Sequence, residues 1–226
     1  MTTITMIQKM STGLGRTFAI FFLTLVFSLP LGVVLALLRR SKIGVLRTIT
    51  RVLISILRGT PLMLQLLVVT YGPFYISSFL EKQFGLALGL GVARNKLVPI
   101  IAGFSINYAA YFAEIYRGGI DSMPKGQYEA AEVLGYSRSQ TFMRIILPQV
   151  IKRILPSITN EVITLVKDTS MAFTVGYQEM FTIGKSISNS QSSFMPFVIA
   201  GVFYFVFNAL VDFVMTRIER KLDYYR

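Results

Sequence analysis

Long apolar stretches recur along the whole chain, and short segments rich in basic residues separate them. Because about 20 consecutive apolar residues cross a bilayer, we predict five transmembrane helices in an all-α, polytopic membrane protein. The predicted spans are about 14–38, 49–72, 97–116, 150–175 and 195–216. Arg58, Gly59, Thr60 and Pro61 interrupt the second span, where the proline is expected to bend the helix. We expect one transmembrane domain over 1–226.

The basic residues cluster at alternate ends of these spans. Fifteen of the 23 lysines and arginines lie in the first connection, the third connection and the C-terminal tail, against six on the other side. Since lysine and arginine accumulate in cytoplasmic loops, the chain is predicted to have its N-terminus outside and its C-terminus in the cytoplasm. The net charge of +12 then reflects membrane topology, and we expect no nucleic acid partner.

Composition narrows the function classes. Of the 226 residues, 53% are hydrophobic, and the mean hydropathy is +0.59. The sequence has no cysteine and no histidine, which removes disulfides, thiol nucleophiles, imidazole metal ligands and the commonest general base. We therefore predict no catalytic residues and no metal site. A membrane enzyme that uses a pair of carboxylates is a weak alternative.

A polar segment stands between the third and fourth spans, and we call it the corner (about 124–149). Residues 127–134 are good helix formers, and Gly135 can take the positive φ that ends a helix. Ser137 and Gln140 have the spacing of a capping box that starts a second helix, and Pro148 precedes the next span. The sequence predicts two helices joined at a sharp turn. An amphipathic connector that rests on lipid headgroups is the alternative.

The corner resembles the EAA loop of binding-protein-dependent ABC importer permeases. The residues that carry this resemblance are Glu129, Ala130, Ala131, Gly135, Ile145, Leu147 and Pro148. The stretches RGTPLMLQL (58–66), AEIYRGGIDSMPKGQ (113–127) and LPSITNEVITLVKDTS (155–170) are similar to the polar amino acid subfamily. The resemblance covers about 55–225. It implies that the seven corner residues form a coupling helix that docks into a groove of a cytoplasmic ATPase.

The resemblance also implies partners and a location in the bacterial cytoplasmic (inner) membrane. These are ABC ATPase subunits, a second permease subunit as homodimer or heterodimer, an extracytoplasmic amino-acid-binding protein and membrane lipid. ATP and Mg²⁺ would be bound by the ATPase, and no cofactor by this chain. A GKS triplet at 184–186 lacks the earlier glycine of a phosphate loop, because Glu179 stands there. The alternatives are a permease for another small solute, or a channel or scaffold without an ATPase.

Polar residues inside the spans are the candidates for substrate binding, because charges at membrane depth are costly and usually face a protein interior or a water-filled path. Glu161 and Asp168 share a helix face and could pair with an ammonium group. The candidates at the interrupted second span and on one face of the third span are Thr60, Gln65, Asn107 and Tyr111.

Some polar or helix-breaking residues of these spans also have a purely structural explanation. Gly59 and Pro61 could form a kink needed for packing, and Asn107 could make an interhelical hydrogen bond worth about 1 kcal/mol. Glu161 could form a buried ion pair with Arg58 or Lys167. Glu114 and Arg117, three residues apart, are predicted to pair near the cytoplasmic end.

Overall fold

The computed structural model describes residues 2–86, 88–91, 93 and 95–222, and these fold mainly into helices. The α-helices are α1 (Thr3–Arg39), α2 (Gly44–Gly59), α3 (Leu62–Phe84), α4 (Leu97–Asp121), α5 (Lys125–Val133), α6 (Arg138–Gln140), α7 (Leu147–Asp168), α8 (Met180–Gln191) and α9 (Met195–Leu222). A π-helical turn (Thr141–Ile146) joins α6 to α7, and a 3₁₀ helix (Thr169–Val175) follows α7.

The long helices alternate in direction. Gly32 of α1 lies against Phe112 of α4, and Arg39 reaches Glu114, so α1 and α4 run in parallel. Helices α3 and α7 are antiparallel to α4. Residues further along each of them contact residues that come earlier in α4. Helix α9 is parallel to α1 and antiparallel to α7. The helices thus form an up-and-down bundle.

The core lies where α1, α3, α4 and α7 meet. Phe104, Phe112 and Leu165 are fully buried there, with Phe21 from α1 and Leu66 from α3. Close helix approach depends on small residues: a Cβ added to Gly103 would lie 2.9 Å from a methyl carbon of Leu66. This packing fixes the positions of the polar groups that α4 and α7 carry.

Within the described residues, four helices are long and apolar enough to cross a membrane: α1, α3, α4 and α9. The predicted bounds of the second span, 49–72, are wrong. Thr60 has an extended backbone and Pro61 offers no N–H, so the chain breaks there and the apolar span is Leu62–Phe84. Helix α7 is long enough, but its five charged residues make it too polar to belong to this group. The count of five spans and the orientation therefore stay predictions.

The basic residues gather at one end of the bundle, which we call the basic end. Helices α1, α4 and α9 finish there with Arg39, Arg117 and Arg220, and α7 begins there with Lys152 and Arg153. This distribution follows the predicted cytoplasmic side, although Arg94 and Arg226 of that prediction lie outside the described residues. By the positive-inside rule, the basic end stays the predicted cytoplasmic end of the bundle.

Candidate functional site: the corner and the polar faces of α4 and α7

The corner is a compact turn at the basic end. Helix α5 ends in a Schellman motif: Gly135 N–H donates to the Glu132 carbonyl over 2.9 Å, and Tyr136 N–H donates to the Ala131 carbonyl over 3.0 Å. Gly135 has a φ of +79°, which confirms the predicted positive φ. A side chain there would strain the backbone, although no other atom lies within 4 Å of an added Cβ.

The second half of the corner begins with the predicted capping box. Gln140 N–H donates to the Ser137 hydroxyl, and Ser137 N–H donates to the Gln140 side chain over 2.9 Å. The helix then continues without a break into α7, through the π-helical turn. Pro148 lies in the first turn of α7, just before the predicted start of the fourth span at about residue 150. The wider turn accommodates a proline that cannot donate and crowds the preceding turn.

The tip of the corner exposes apolar side chains on a polar segment. Val133 is 87% exposed and Leu134 is 73% exposed, and they lie at the end of α5 next to Gly135. Met143, on the following π-helical turn, is also exposed. Exposed apolar side chains flanked by polar ones are typical of a protein contact surface.

The seven predicted coupling residues occupy both halves of the corner. Glu129 and Ala130 are exposed on α5, whereas Ala131 is buried. Ile145 and Leu147 are half-buried, and Pro148 is exposed. The structure therefore brings the seven residues into one local unit, although not all of them lie at its surface.

Several contacts fix the corner to the ends of α4 and α7. Arg153 donates to the Ser122 carbonyl over 2.6 Å, and Gln149 donates to the Gln127 side chain over 3.2 Å. Met123, at the end of α4, is buried in a cluster that contains Ile146, Val150 and Ile154. A displacement of the corner would therefore move α4 and α7 with it.

A second polar site forms where the chain breaks between α2 and α3. Asn107 donates to the Gln65 side chain over 3.0 Å and to the Leu57 carbonyl over 3.1 Å. Gln65 donates to the same carbonyl over 2.8 Å and to the Thr60 hydroxyl over 2.7 Å. Three predicted substrate residues thus form one network that satisfies the free carbonyls at the end of α2.

The other three candidates lie beside this network. Tyr108, directly after Asn107, donates to a carboxylate oxygen of Asp168 over 2.7 Å. Tyr111 lies under the guanidinium of Arg58, 5.2 Å from the ring centre. Glu161 is half-buried and lies two helical turns before Asp168, on the same face of α7.

The predicted alternative of an ion pair at Glu161 is not found. No basic side chain of the described residues lies within 4.0 Å of the Glu161 carboxylate, and Arg58 instead approaches Glu114 at 3.9 Å. Glu114 also pairs with Arg117 over 2.8 Å, which confirms that predicted pair, and with Arg39 over 3.0 Å. Glu161 therefore keeps its capacity to accept hydrogen bonds from a ligand.

Sequence reasoning missed two residues of this polar system. Tyr108 carries no signal apart from its position next to Asn107. Glu179 is fully buried at the start of α8. In the sequence it stood out only because it occupies the position where a phosphate loop requires glycine. Its carboxylate accepts from Phe181 N–H over 2.7 Å, from Thr182 N–H over 2.6 Å and from the Tyr204 hydroxyl over 3.2 Å. Burial raises the pKa of Glu179, and the bonds from Thr182 and Phe181 oppose that rise.

Comparison with known proteins agrees with the resemblance noted in the sequence. Residues 28–224 match the sequence model of the family described as "Binding-protein-dependent transport system inner membrane component". The chain is 35% identical to the L-cystine transport system permease protein TcyL of Bacillus subtilis (strain 168) over 96% of this chain and 88% of that protein. It is 39% identical to the octopine transport system permease protein OccM of Rhizobium radiobacter over 87% and 80% of the two chains.

The fold is also similar to a solved structure. A crystal structure of an amino acid ABC transporter with histidines superposes with a TM-score of 0.81, at 28% sequence identity. The match covers 98% of this chain and 99% of that chain. The similarity therefore extends over the bundle, the corner and the polar faces together.

Proposed function

The chain belongs to the family of binding-protein-dependent transport system inner membrane components, and on that premise we propose that it carries a polar amino acid into the cell, driven by partner ATPases. It is a multi-pass permease subunit of the bacterial cytoplasmic membrane. In this proposal two permease subunits, as homodimer or heterodimer, stand above two ATPase subunits that bind ATP and Mg²⁺. An extracytoplasmic binding protein delivers the amino acid.

The observation that carries the proposal is the exposed apolar tip of the corner. Val133 and Leu134 project from a turn that Gly135 and the capping box hold in shape. A small apolar tip on a rigid support suits insertion into a groove of a partner protein, because few side chains need to be ordered on binding. The bonds from the corner to α4 and α7 then transmit ATPase closure to the transmembrane bundle.

The proposed substrate class rests on the carboxylates of α7 and on the positive groups at the helix break between α2 and α3. We propose that the carboxylates of Glu161 and Asp168 bind the α-ammonium group of an amino acid. Arg58 and the free N–H groups at the start of α3 bind its carboxylate, since the N-terminal end of a half-helix attracts anions. Asn107, Gln65 and Thr60 hold the break open, and Tyr108 and Tyr111 orient Asp168 and Arg58.

Alternating access then requires no covalent chemistry in this chain. Closure of the ATP-bound partners beneath the two corners opens the permease pair outward, and the amino acid passes to the polar faces of α4 and α7. ATP hydrolysis lets the corners move apart, and the bundle opens toward the cytoplasm. The subunit is thus the transport component, and hydrolysis is carried by its partners.

Co-purification tests the docking proposal. The chain is expressed with its neighbouring genes, tagged, extracted in mild detergent and analysed for bound subunits. We expect one ATPase per permease, and we expect its loss in Gly135→Arg, because the left-handed backbone costs a side chain about 1–2 kcal/mol and a large cation replaces a compact turn. Gly135→Asn is the matched control, since asparagine tolerates positive φ, and it should retain the ATPase.

The outcome also separates the alternatives. A wild-type chain that purifies alone would favour a channel or scaffold with a surface-lying connector. Retention of the ATPase and of transport-linked hydrolysis in Gly135→Arg would contradict docking through this corner. Competition of uptake by a panel of amino acids and other small solutes distinguishes a polar amino acid from another small substrate.

A further inference from the structure

Five arginines line a cleft at the basic end, and the carboxylates beside them are too few to neutralise their charge. It lies between the end of α1, the start of α2 and the end of α4, has a volume of about 320 Å³, and is lined by Arg39, Arg40, Arg47, Arg51, Arg117 and Asp121. We call it the arginine cleft. Five guanidinium groups thus face one space at the membrane side predicted to be cytoplasmic.

The charges in the cleft do not balance within the described residues. Arg39 and Arg117 share the Glu114 carboxylate, and Arg40 and Arg117 share that of Asp121. Arg47 and Arg51 make no ion pair or hydrogen bond among the residues that the structure describes. Five arginines therefore stand against two carboxylates, and their mutual repulsion would be relieved by a bound anion.

Helix α2 supplies two arginines of this cleft. Arg47 and Arg51 lie on the same face as Ile54, which is buried against Ala109, Ala110 and Ala113 of α4. Arg47 and Arg51 are exposed, and they line the arginine cleft beside the contact of Ile54 with α4, whereas the opposite face of α2 points away from the bundle.

The outward face of α2 is apolar. Val45 is 70% exposed and Ile49 is 59% exposed, and Val52, Leu53 and Ile56 continue the same surface. Such a face fits lipid tails, and an amphipathic helix of this kind lies where the hydrocarbon region meets the headgroups. The arginine cleft would then open at the depth of the lipid phosphates.

From the charge surplus and this placement we propose that the arginine cleft binds the phosphate group of an anionic membrane lipid, with the acyl chains along the apolar face of α2. Guanidinium groups bind phosphate oxygens in a bidentate manner, and basic pockets between transmembrane helices bind lipid headgroups in this way. The bound lipid links the end of α1 to α2 and to the end of α4.

Lipid binding by the complete chain tests this proposal. The chain is placed in nanodiscs of phosphatidylcholine with increasing phosphatidylglycerol, and retained lipid is counted by native mass spectrometry after mild release. We expect selective retention of phosphatidylglycerol, and a weakening of about tenfold or more in Arg47→Gln/Arg51→Gln, since each arginine near the surface contributes about a factor of five. Arg47→Lys/Arg51→Lys should keep most of the binding.

Arg217→Gln/Arg220→Gln is the matched control, because it removes two exposed arginines from α9 at the same basic end. It should bind phosphatidylglycerol as the wild type does. Rising salt should weaken retention in the wild type, a readout that needs no variant. Inorganic phosphate added to the solubilised chain distinguishes a lipid phosphate from free phosphate as the ligand. The lipid assignment would be overturned if low millimolar phosphate protected the chain against thermal unfolding as well as phosphatidylglycerol does, and if the chain showed no preference for that lipid.

Two other results would also overturn it. One is equal retention of phosphatidylcholine and phosphatidylglycerol by the wild type. The other is loss of the ATPase in Arg47→Gln/Arg51→Gln with unchanged lipid retention, which would assign the cleft to an acidic surface of that partner. These results leave the transport proposal intact, since it depends on the corner and not on the cleft.

Discussion

The backbone of Gly119 lies directly against Ile154. A Cβ added to Gly119 would lie 2.2 Å from Cγ2 of Ile154 and 3.1 Å from Cγ1 of Val150. This contact joins the last turns of α4 to the first turns of α7, which are the two helices on either side of the corner. This close contact at the basic end lies where we propose that the corner transmits its movement.

Gly119→Ala should therefore separate α4 from α7. We expect a loss of about 1–3 kcal/mol in stability, the usual cost of overpacking, seen as a lower unfolding temperature in detergent. ATP hydrolysis by the assembled complex should also respond less to substrate. Gly118→Ala is the control, because no other atom lies within 4 Å of a Cβ there. Equal unfolding temperatures for the two variants would show that the contact relaxes without cost.

The network at the helix break should show direct coupling between Asn107 and Gln65. In a double-mutant cycle with Asn107→Ala and Gln65→Ala, we expect an interaction energy of about 1 kcal/mol, since the two side chains share a hydrogen bond and one carbonyl acceptor. Unfolding in detergent measures it. Asn107→Ala combined with Gln149→Ala should be additive, because Gln149 lies in the corner. Additivity of the first pair would indicate that water replaces the network.

Glu179→Ala should destabilise the end of the bundle opposite the corner. The change leaves the hydroxyl of Tyr204 and two N–H groups of α8 without their acceptor, and an unpaired buried group costs about 1–3 kcal/mol. Hydrogen exchange of α8 should rise more than that of α5. Glu81→Ala, at an exposed position of α3, serves as the control. Unchanged exchange in α8 would mean that solvent reaches these donors.

Glu161→Gln tests the proposed ammonium contact. Removing the charge should weaken the apparent substrate affinity by about tenfold to a hundredfold, the range of one charge-assisted hydrogen bond, in uptake by proteoliposomes that contain the complex. Glu81→Gln removes an exposed carboxylate elsewhere and should leave uptake unchanged. If Glu161→Gln transports with wild-type affinity, the substrate does not bind at this carboxylate.

The local features of the corner could be predicted from the sequence because the groups that form them are close neighbours. Gly135 and the Ser137–Gln140 pair act within a few residues. The break at Thr60 and Pro61 was predicted only as a bend, because nothing local decides whether a proline kinks a helix or ends it. The hydrogen bonds of Asn107 and Gln65 stabilise the free carbonyls, and these bonds depend on the packing of α4.

What the sequence by itself determined is a helical membrane protein with a basic end and a structured polar corner, since hydropathy, charge and capping are properties of short segments. The tertiary structure decided which distant groups meet. It paired Tyr108 with Asp168, buried Glu179 beside Tyr204, and turned Arg47 and Arg51 toward the ends of α1 and α4. These contacts join residues far apart in the chain, and their energies depend on helix directions and close packing that no local pattern encodes.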